Sequence, residues 1–172
     1  MERAPSWARE KWVRPGLLHI TVRFVGALPD PAVPELIEAL AAELSGTSPF
    51  SLRLAGVRAV PTSRRASMLW AGLEGDTDAS REVHVCVERV LTGRFGAWPD
   101  RRGYSPHVTL VRSRSARRAP HDALTAASHV LEGPGKDPEG FLSVHSTTLY
   151  ASTLGPGGPH YERLGEVPLD GT

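Results

Sequence analysis

Histidine and threonine stand one apolar residue apart at two places in this chain, His19-Ile20-Thr21-Val22 and His107-Val108-Thr109-Leu110. On an extended strand, side chains at i and i+2 project from one face. Each segment then presents an imidazole beside a hydroxyl, while Ile20, Val22, Val108 and Leu110 turn the other way into a core. Imidazole ionises near pH 6.5, so it takes or gives a proton near neutrality. Two of them supply what opening a phosphodiester requires, a base to take a proton from water and an acid to protonate the departing oxygen. Each role is worth about 10² to 10⁴ in rate. The threonine hydroxyls, with help from arginine, would hold the nonbridging oxygens and stabilise a pentacoordinate transition state.

Histidine pairs also bind metals. Neither segment, however, carries a carboxylate or a second histidine at ligand spacing, and zinc sites need three or four protein ligands. The expected site therefore has no metal and no cofactor. One His-x-Thr is a weak signal in a chain with seven histidines, and His145-Ser146-Thr147 is a third copy without the apolar frame. The weight rests on two fully framed copies in equivalent settings.

Those settings emerge from the surrounding pattern. Leu17 to Val25 alternates, with Leu18, Ile20, Val22 and Phe24 on one face, and predicts a strand. Pro29, Pro31 and Pro34 open a helix over about 32–45, with Leu36, Ile37, Leu40, Ala41 and Leu44 inside and Gly46 as its stop. Strands are expected at about 50–60 and 67–73 as neighbours, followed by a helix from about Asp78 to Arg94 with Val83, Val87, Val90 and Leu91 inward. Behind His107 the order repeats, with a helix at about 120–131 and a strand at about 141–152, then a last strand near Tyr161 to Leu169. The expectation is two similar halves, each giving one motif to a shared cleft.

At 172 residues and 40% hydrophobic content, the chain can bury a core as one domain or as two small lobes. Its formal charge of +1 is unevenly spread: six arginines and no acidic residue lie between Arg101 and Arg118, bracketing the second motif. That stretch is either a solvated loop or a patch that draws phosphate. Cys86 alone excludes an intrachain disulfide, and its apolar neighbours predict a buried, inert thiol. No apolar run approaches the length of a membrane span or marks a secretion signal, so the expected setting is the cytoplasm without membrane attachment. Trp70 and Phe141 are expected in the core, while Tyr104 is a candidate for stacking on a base.

Residues 12–26, from Trp12-Val13-Arg14-Pro15-Gly16 through the first motif to Phe24-Val25-Gly26, and Tyr104-Ser105-Pro106-His107-Val108-Thr109-Leu110-Val111-Arg112 resemble the paired signatures of the 2H phosphoesterase superfamily. Within it they are similar to the bacterial RNA 2′,3′-cyclic phosphodiesterases, the LigT-like branch historically called 2′-5′ RNA ligases. Leu69-Trp70-Ala71-Gly72-Leu73 and the segment from Leu149 to Tyr161 extend the likeness over about residues 12–170. The resemblance implies a bilobal α+β fold with antiparallel sheets lining a central cleft and helices outside. It implies His19 and His107 as the acid/base pair, with His107 activating water and His19 protonating the leaving 3′ oxygen. Thr21 and Thr109 would bind the phosphate of an RNA or nucleotide 2′,3′-cyclic phosphate. Arg112 fits the second signature, yet strict alternation puts it on the face opposite His107, so it needs a bulge to reach the site or else serves the rim. Arg23 and Tyr104 are further candidates for touching substrate. The alternatives are a 2H-type module that binds nucleotide or RNA without turnover, or an enzyme for another cyclic or 2′-5′ linked nucleotide. Relative to the branch, residues 1–12 contain no strand-like run, so the half holding His19 is expected to lack one sheet strand.

Overall fold

A computed structural model describes Trp7 and residues 10–119, 124–125, 141–156 and 158–172. Its elements are β1 (Lys11–Trp12), α1 (Val33–Leu44), β2 (Phe50–Val60), β3 (Ala66–Gly75), α2 (Thr77–Arg94), β4 (His107–Arg117), β5 (Phe141–Val144), β6 (Ser146–Gly155) and β7 (Gly158–Pro168). One sheet has the strand order β1-β4-β3-β2-β5, and β6 pairs with β7 in a second. The protein is an α+β fold. The expected helix at about 120–131 and the first residues of the chain lie largely outside the described residues.

The chain divides into two compact units. The first contains Met1–Thr21, Leu52–Thr77 and Ser105–Leu142. Its core gathers Trp7, Ala66, Leu69, Val111 and Ala119, with Val57, Ala59 and Leu124 packed against them. Alternation explains the hairpin of β2 and β3: Leu52 and Leu69 are buried among apolar neighbours, and Arg53 and Glu74 face each other across the strands as an ion pair. β1 is only two residues long. It pairs antiparallel with β4, Lys11 against Arg112 and Trp12 against Val111, so a strand forms before the first motif where the sequence pattern showed none.

The second unit contains Val22–Ser51, Asp78–Tyr104 and Ser143–Thr172. Pro34 sits in the first turn of α1, Leu36, Leu40 and Leu44 form its buried stripe, and Gly46 ends it at φ 78°. Pro is tolerated where the amide has no helical partner, and glycine accepts the left-handed turn that stops a helix. α1 packs on β7, where a Cβ at Gly165 would stand 2.4 Å from Ile37 Cδ1. α2 buries Val83, Val87, Val90 and Leu91. Cys86 lies one position off that stripe and is half-buried rather than enclosed, and desolvation with the nearby Glu43 carboxylate pushes its thiol up. The strand expected over about 141–152 is two strands broken at His145, whose carbonyl accepts the Leu169 N–H at 2.8 Å.

Candidate active site

β4 and β3 build the floor of the site. Opposite residues in an antiparallel pair share a face. The register sets Gly72 against His107, Ala71 against Val108 and Trp70 against Thr109, then Leu69 against Val111 and Met68 against Arg112. β4 therefore carries one extra residue, Leu110, which is a β-bulge. One face of this pair holds Met68, Trp70 and Gly72 with His107, Thr109 and Arg112. The other holds Leu69, Ala71, Val108 and Val111, all buried. The bulge breaks the strict alternation expected for Leu110 and carries Arg112 onto the face of His107 and Thr109.

The first motif docks on this strand. Ile20 forms an isolated antiparallel bridge with Val108. Ile20 thus shares the core-facing side of Val108, and His19 and Thr21 share the side of His107 and Thr109. In that register His19 stands across from Thr109 and Thr21 across from His107, so the two imidazoles sit on a diagonal. Diagonal neighbours of an antiparallel pair are about 7–8 Å apart, room for a phosphate with a hydrogen-bonding group on each side. His19, Thr21, His107 and Thr109 all lie in the first compact unit, on adjacent extended segments.

The strand expected over Leu17 to Val25 is reduced to that one bridge. A 3₁₀ turn over Pro15–Leu17 precedes it. After Thr21 the backbone leaves the ladder, because the Val22 carbonyl accepts from His84 Nδ1 on α2 at 2.8 Å.

The two histidines are held in the same way. His19 Nδ1 lies 2.8 Å from the Leu17 carbonyl and His107 Nδ1 lies 2.8 Å from the Ser105 carbonyl. A carbonyl only accepts, so each Nδ1 carries the proton and each neutral ring keeps its lone pair on Nε2. Pro106 fixes the extended conformation of Ser105 and thereby the direction of its carbonyl. The 3₁₀ turn does the corresponding work for Leu17. His107 has a second constraint: its ring stacks on Trp70, with centroids 3.6 Å apart and planes 16° from parallel. Trp70 is half-buried with its face on the site rather than in the core, and the apolar look of Leu69-Trp70-Ala71 concealed this. Phe141 likewise is half exposed instead of buried.

Two expected substrate contacts are engaged elsewhere. Arg23 Nε pairs with Glu88, its Nη1 donates to the Phe24 carbonyl, and its Nη2 donates to the Trp98 carbonyl at 2.7 Å. All three nitrogens have acceptors and the side chain is only 10% exposed, so Arg23 ties the second unit together instead of facing a ligand. Tyr104 stacks on His84 at 4.4 Å and its hydroxyl bonds Ser80 at 2.9 Å. Burial pushes its phenol up, and both its ring face and its oxygen serve the packing of α2.

Comparison with known proteins places this arrangement. Residues 1–70 match the family model described as LigT like phosphoesterase. An RNA 2′,3′-cyclic phosphodiesterase of Aeropyrum pernix is 35% identical over 149 residues, covering 87% of this chain and 80% of that protein. One of the same name from Aquifex aeolicus is 28% identical over 94% of this chain and 82% of its own length. The crystal structure of E. coli LigT complexed with 3′-AMP superposes with a TM-score of 0.66 at 23% identity, covering 93% of this chain and 81% of that one. The chain belongs to the LigT-like phosphoesterase family of 2H phosphoesterases, and it is an enzyme of the cyclic phosphodiesterase class. Among the described residues, no helix is long and apolar enough to cross a membrane.

Proposed function

We propose that this enzyme hydrolyses 2′,3′-cyclic phosphate ends of RNA or nucleotides to 2′-phosphates, with His19 and His107 as catalytic residues and no metal in the chemical step. The observation that carries this reading is the Ile20 to Val108 bridge, whose register puts both imidazoles and both threonines on one face, with Nδ1 of each ring bonded to a backbone carbonyl. The relatives named RNA 2′,3′-cyclic phosphodiesterase support the substrate.

In the reaction, Nε2 of neutral His107 takes a proton from water as its oxygen bonds to phosphorus. The bond from phosphorus to the 3′ oxygen breaks, and that oxygen receives the proton from Nε2 of His19 in its imidazolium form. The product is a 2′-phosphate with a free 3′ hydroxyl, and the two rings have exchanged protonation states. Thr21 and Thr109 donate to the nonbridging oxygens as negative charge grows on them. Trp70 backs the His107 ring and acts as a positioning residue.

The test is incubation of purified protein with a 2′,3′-cyclic mononucleotide in EDTA between about pH 5 and pH 8, with the product read by phosphorus NMR. Formation of the 2′-phosphate supports the reading. A 3′-phosphate product reverses the leaving group, and absence of turnover alongside an active control rejects it.

A further inference from the structure

Along one face of α2, Ser80, His84 and Glu88 follow one another at four-residue spacing, and all three engage the same two stretches of backbone. Ser80, buried at 4% exposure, bonds the Tyr104 hydroxyl at 2.9 Å. Glu88 pairs with Arg23 and accepts the Asp100 N–H at 2.8 Å. Between them, His84 holds both stretches at once. Its Nδ1 donates to the Val22 carbonyl at 2.8 Å, and its ring lies on Tyr104, 4.4 Å between centroids and 5° from parallel. Residues four apart on a helix are neighbours, so the three side chains form a polar ladder beside the apolar stripe of Val83, Val87 and Val90.

Packing alone does not call for histidine at this position. The apolar stripe already anchors the helix, and phenylalanine or leucine at 84 would cover Tyr104 as well. Only a donor satisfies the Val22 carbonyl, and only a flat ring both donates from its edge and stacks on its face.

The two residues that His84 holds lead directly into the histidine segments. Val22 follows Thr21, and Tyr104 precedes Ser105, whose carbonyl holds His107 Nδ1 at 2.8 Å. His84, Val22 and Tyr104 all lie in the second compact unit. Each contact of His84 is therefore one peptide bond from a residue that bears on the reacting groups, Thr21 on one side and Ser105 on the other. A peptide unit is planar and stiff, so a shift of Val22 or Tyr104 reaches its neighbour directly.

We propose that His84 is a positioning residue for the phosphodiesterase reaction, fixing Val22 and Tyr104 relative to each other so that Thr21 and the Ser105 carbonyl are set in place. It acts through the backbone of both histidine segments rather than on substrate. This rests on the cyclic phosphodiesterase reading and adds a residue that lies outside both signatures.

The experiment separates the two holds. His84→Phe keeps a ring to lie on Tyr104 and removes the donor. His84→Asn keeps an N–H near the place of Nδ1 and removes the ring, and His84→Ala removes both. For each variant, kcat and KM are measured on a 2′,3′-cyclic mononucleotide, thermal melts give the folded fraction, and proton NMR follows the ring signals of His19 and His107. His84→Ala is expected to lower kcat per folded molecule about 10- to 100-fold with KM within about twofold, the cost of misplacing reacting groups by about 1 Å. His84→Phe and His84→Asn should each recover part of that loss, with the phenylalanine moving the His19 signals more and the asparagine moving the His107 signals more. If His84→Ala fails to fold, the other two variants, each keeping one hold, carry the same comparison. Wild-type kcat per folded molecule in the variants, or ring signals of His19 and His107 that stay in place, would overturn the proposal and leave His84 with stability alone. If wild type turns over no cyclic mononucleotide, the phosphodiesterase reading fails, and the ring signals still decide whether His84 positions the two histidines.

Discussion

His107 lies flat against Trp70, 3.6 Å between ring centroids and 16° from parallel, while its Nδ1 is tied to the Ser105 carbonyl. The hydrogen bond fixes one edge of the imidazole and the indole face fixes its plane, so Nε2 has one direction left. Trp70 Nε1 is buried with no hydrogen-bond partner among the described residues, a condition that costs about 1–3 kcal/mol and that phenylalanine or leucine would avoid. What the position needs is therefore the broad aromatic face.

Replacing that face should slow catalysis without weakening binding. Trp70→Leu is expected to lower kcat about 10- to 100-fold with KM within about twofold, because misplacing a reacting group by about 1 Å costs up to about 10² in rate. Trp70→Phe should recover most of the loss. Proton NMR should show the His107 ring protons shifted upfield by the indole in wild type and not in Trp70→Leu. Full kcat in the leucine variant would remove Trp70 from any role in positioning.

The two histidines should behave as one device. His19→Ala and His107→Ala are each expected to reduce kcat by about 10² to 10⁴, and the double variant should lose far less than the product of the two, since one proton transfer without the other leaves the step incomplete. Single-turnover rates on a cyclic mononucleotide measure all three. Strictly multiplicative losses would mean that the rings act in separate steps.

The helices and the β2–β3 hairpin were legible in the sequence because each carries a regular run: Leu36, Leu40 and Leu44 repeat at helical spacing before Gly46, and Phe50, Leu52 and Leu54 alternate ahead of the bulge at Gly56. The histidines were legible because the motif occurs twice. What the pattern could not carry was parity across a bulge. Leu110 looks like any strand leucine, and nothing near Arg112 reveals that one extra residue has inverted its side. The extended segment at His19 alternates cleanly, yet its ladder ends where His84, 62 residues away, takes the Val22 carbonyl. Arg23 appeared available beside a catalytic motif because its partners, Glu88 and the Trp98 carbonyl, are equally distant in sequence.

Acid should weaken the second unit through Glu88. Burial pushes its carboxyl up, but the Arg23 hydrogen bond, the Asp100 backbone N–H and the nearby positive charge outweigh burial and hold it below its ordinary 4.5. Arg102 likewise holds Asp100 down, to about 2. The unfolded chain therefore takes up the Glu88 proton at a higher pH than the folded one. The stabilisation is present in full above about pH 4.5 and is lost as pH falls through the lower folded value. Thermal melts from about pH 7 to pH 3 should show Glu88→Gln destabilised by about 1.5–3 kcal/mol at neutrality, as expected for loss of a hydrogen bond to a charged group, with the deficit shrinking toward pH 3. A deficit that stayed constant with pH would assign the loss to packing alone.

Gly72 offers the closest link between backbone packing and the site. It pairs with His107 on one side and Ala55 on the other, and a Cβ there would stand 2.7 Å from the Ala55 carbonyl oxygen. That obstacle is backbone, next to the bulge at Gly56, so it cannot swing aside as a side chain would. Gly72→Ala must displace β2 or β3, and overpacking of this kind costs about 1–3 kcal/mol. Because β3 also carries Trp70, the displacement should reach the His107 stack, giving a lower melting temperature together with a kcat loss of about tenfold and a weakened ring-current shift at His107. Gly165→Ala is the matched control. Its added methyl meets the flexible end of Ile37 in the second unit, so it should lower stability while leaving the His107 signal where it was. A Gly72→Ala enzyme with wild-type kcat and an unmoved His107 signal would show that the sheet absorbs the methyl without passing the strain to the site.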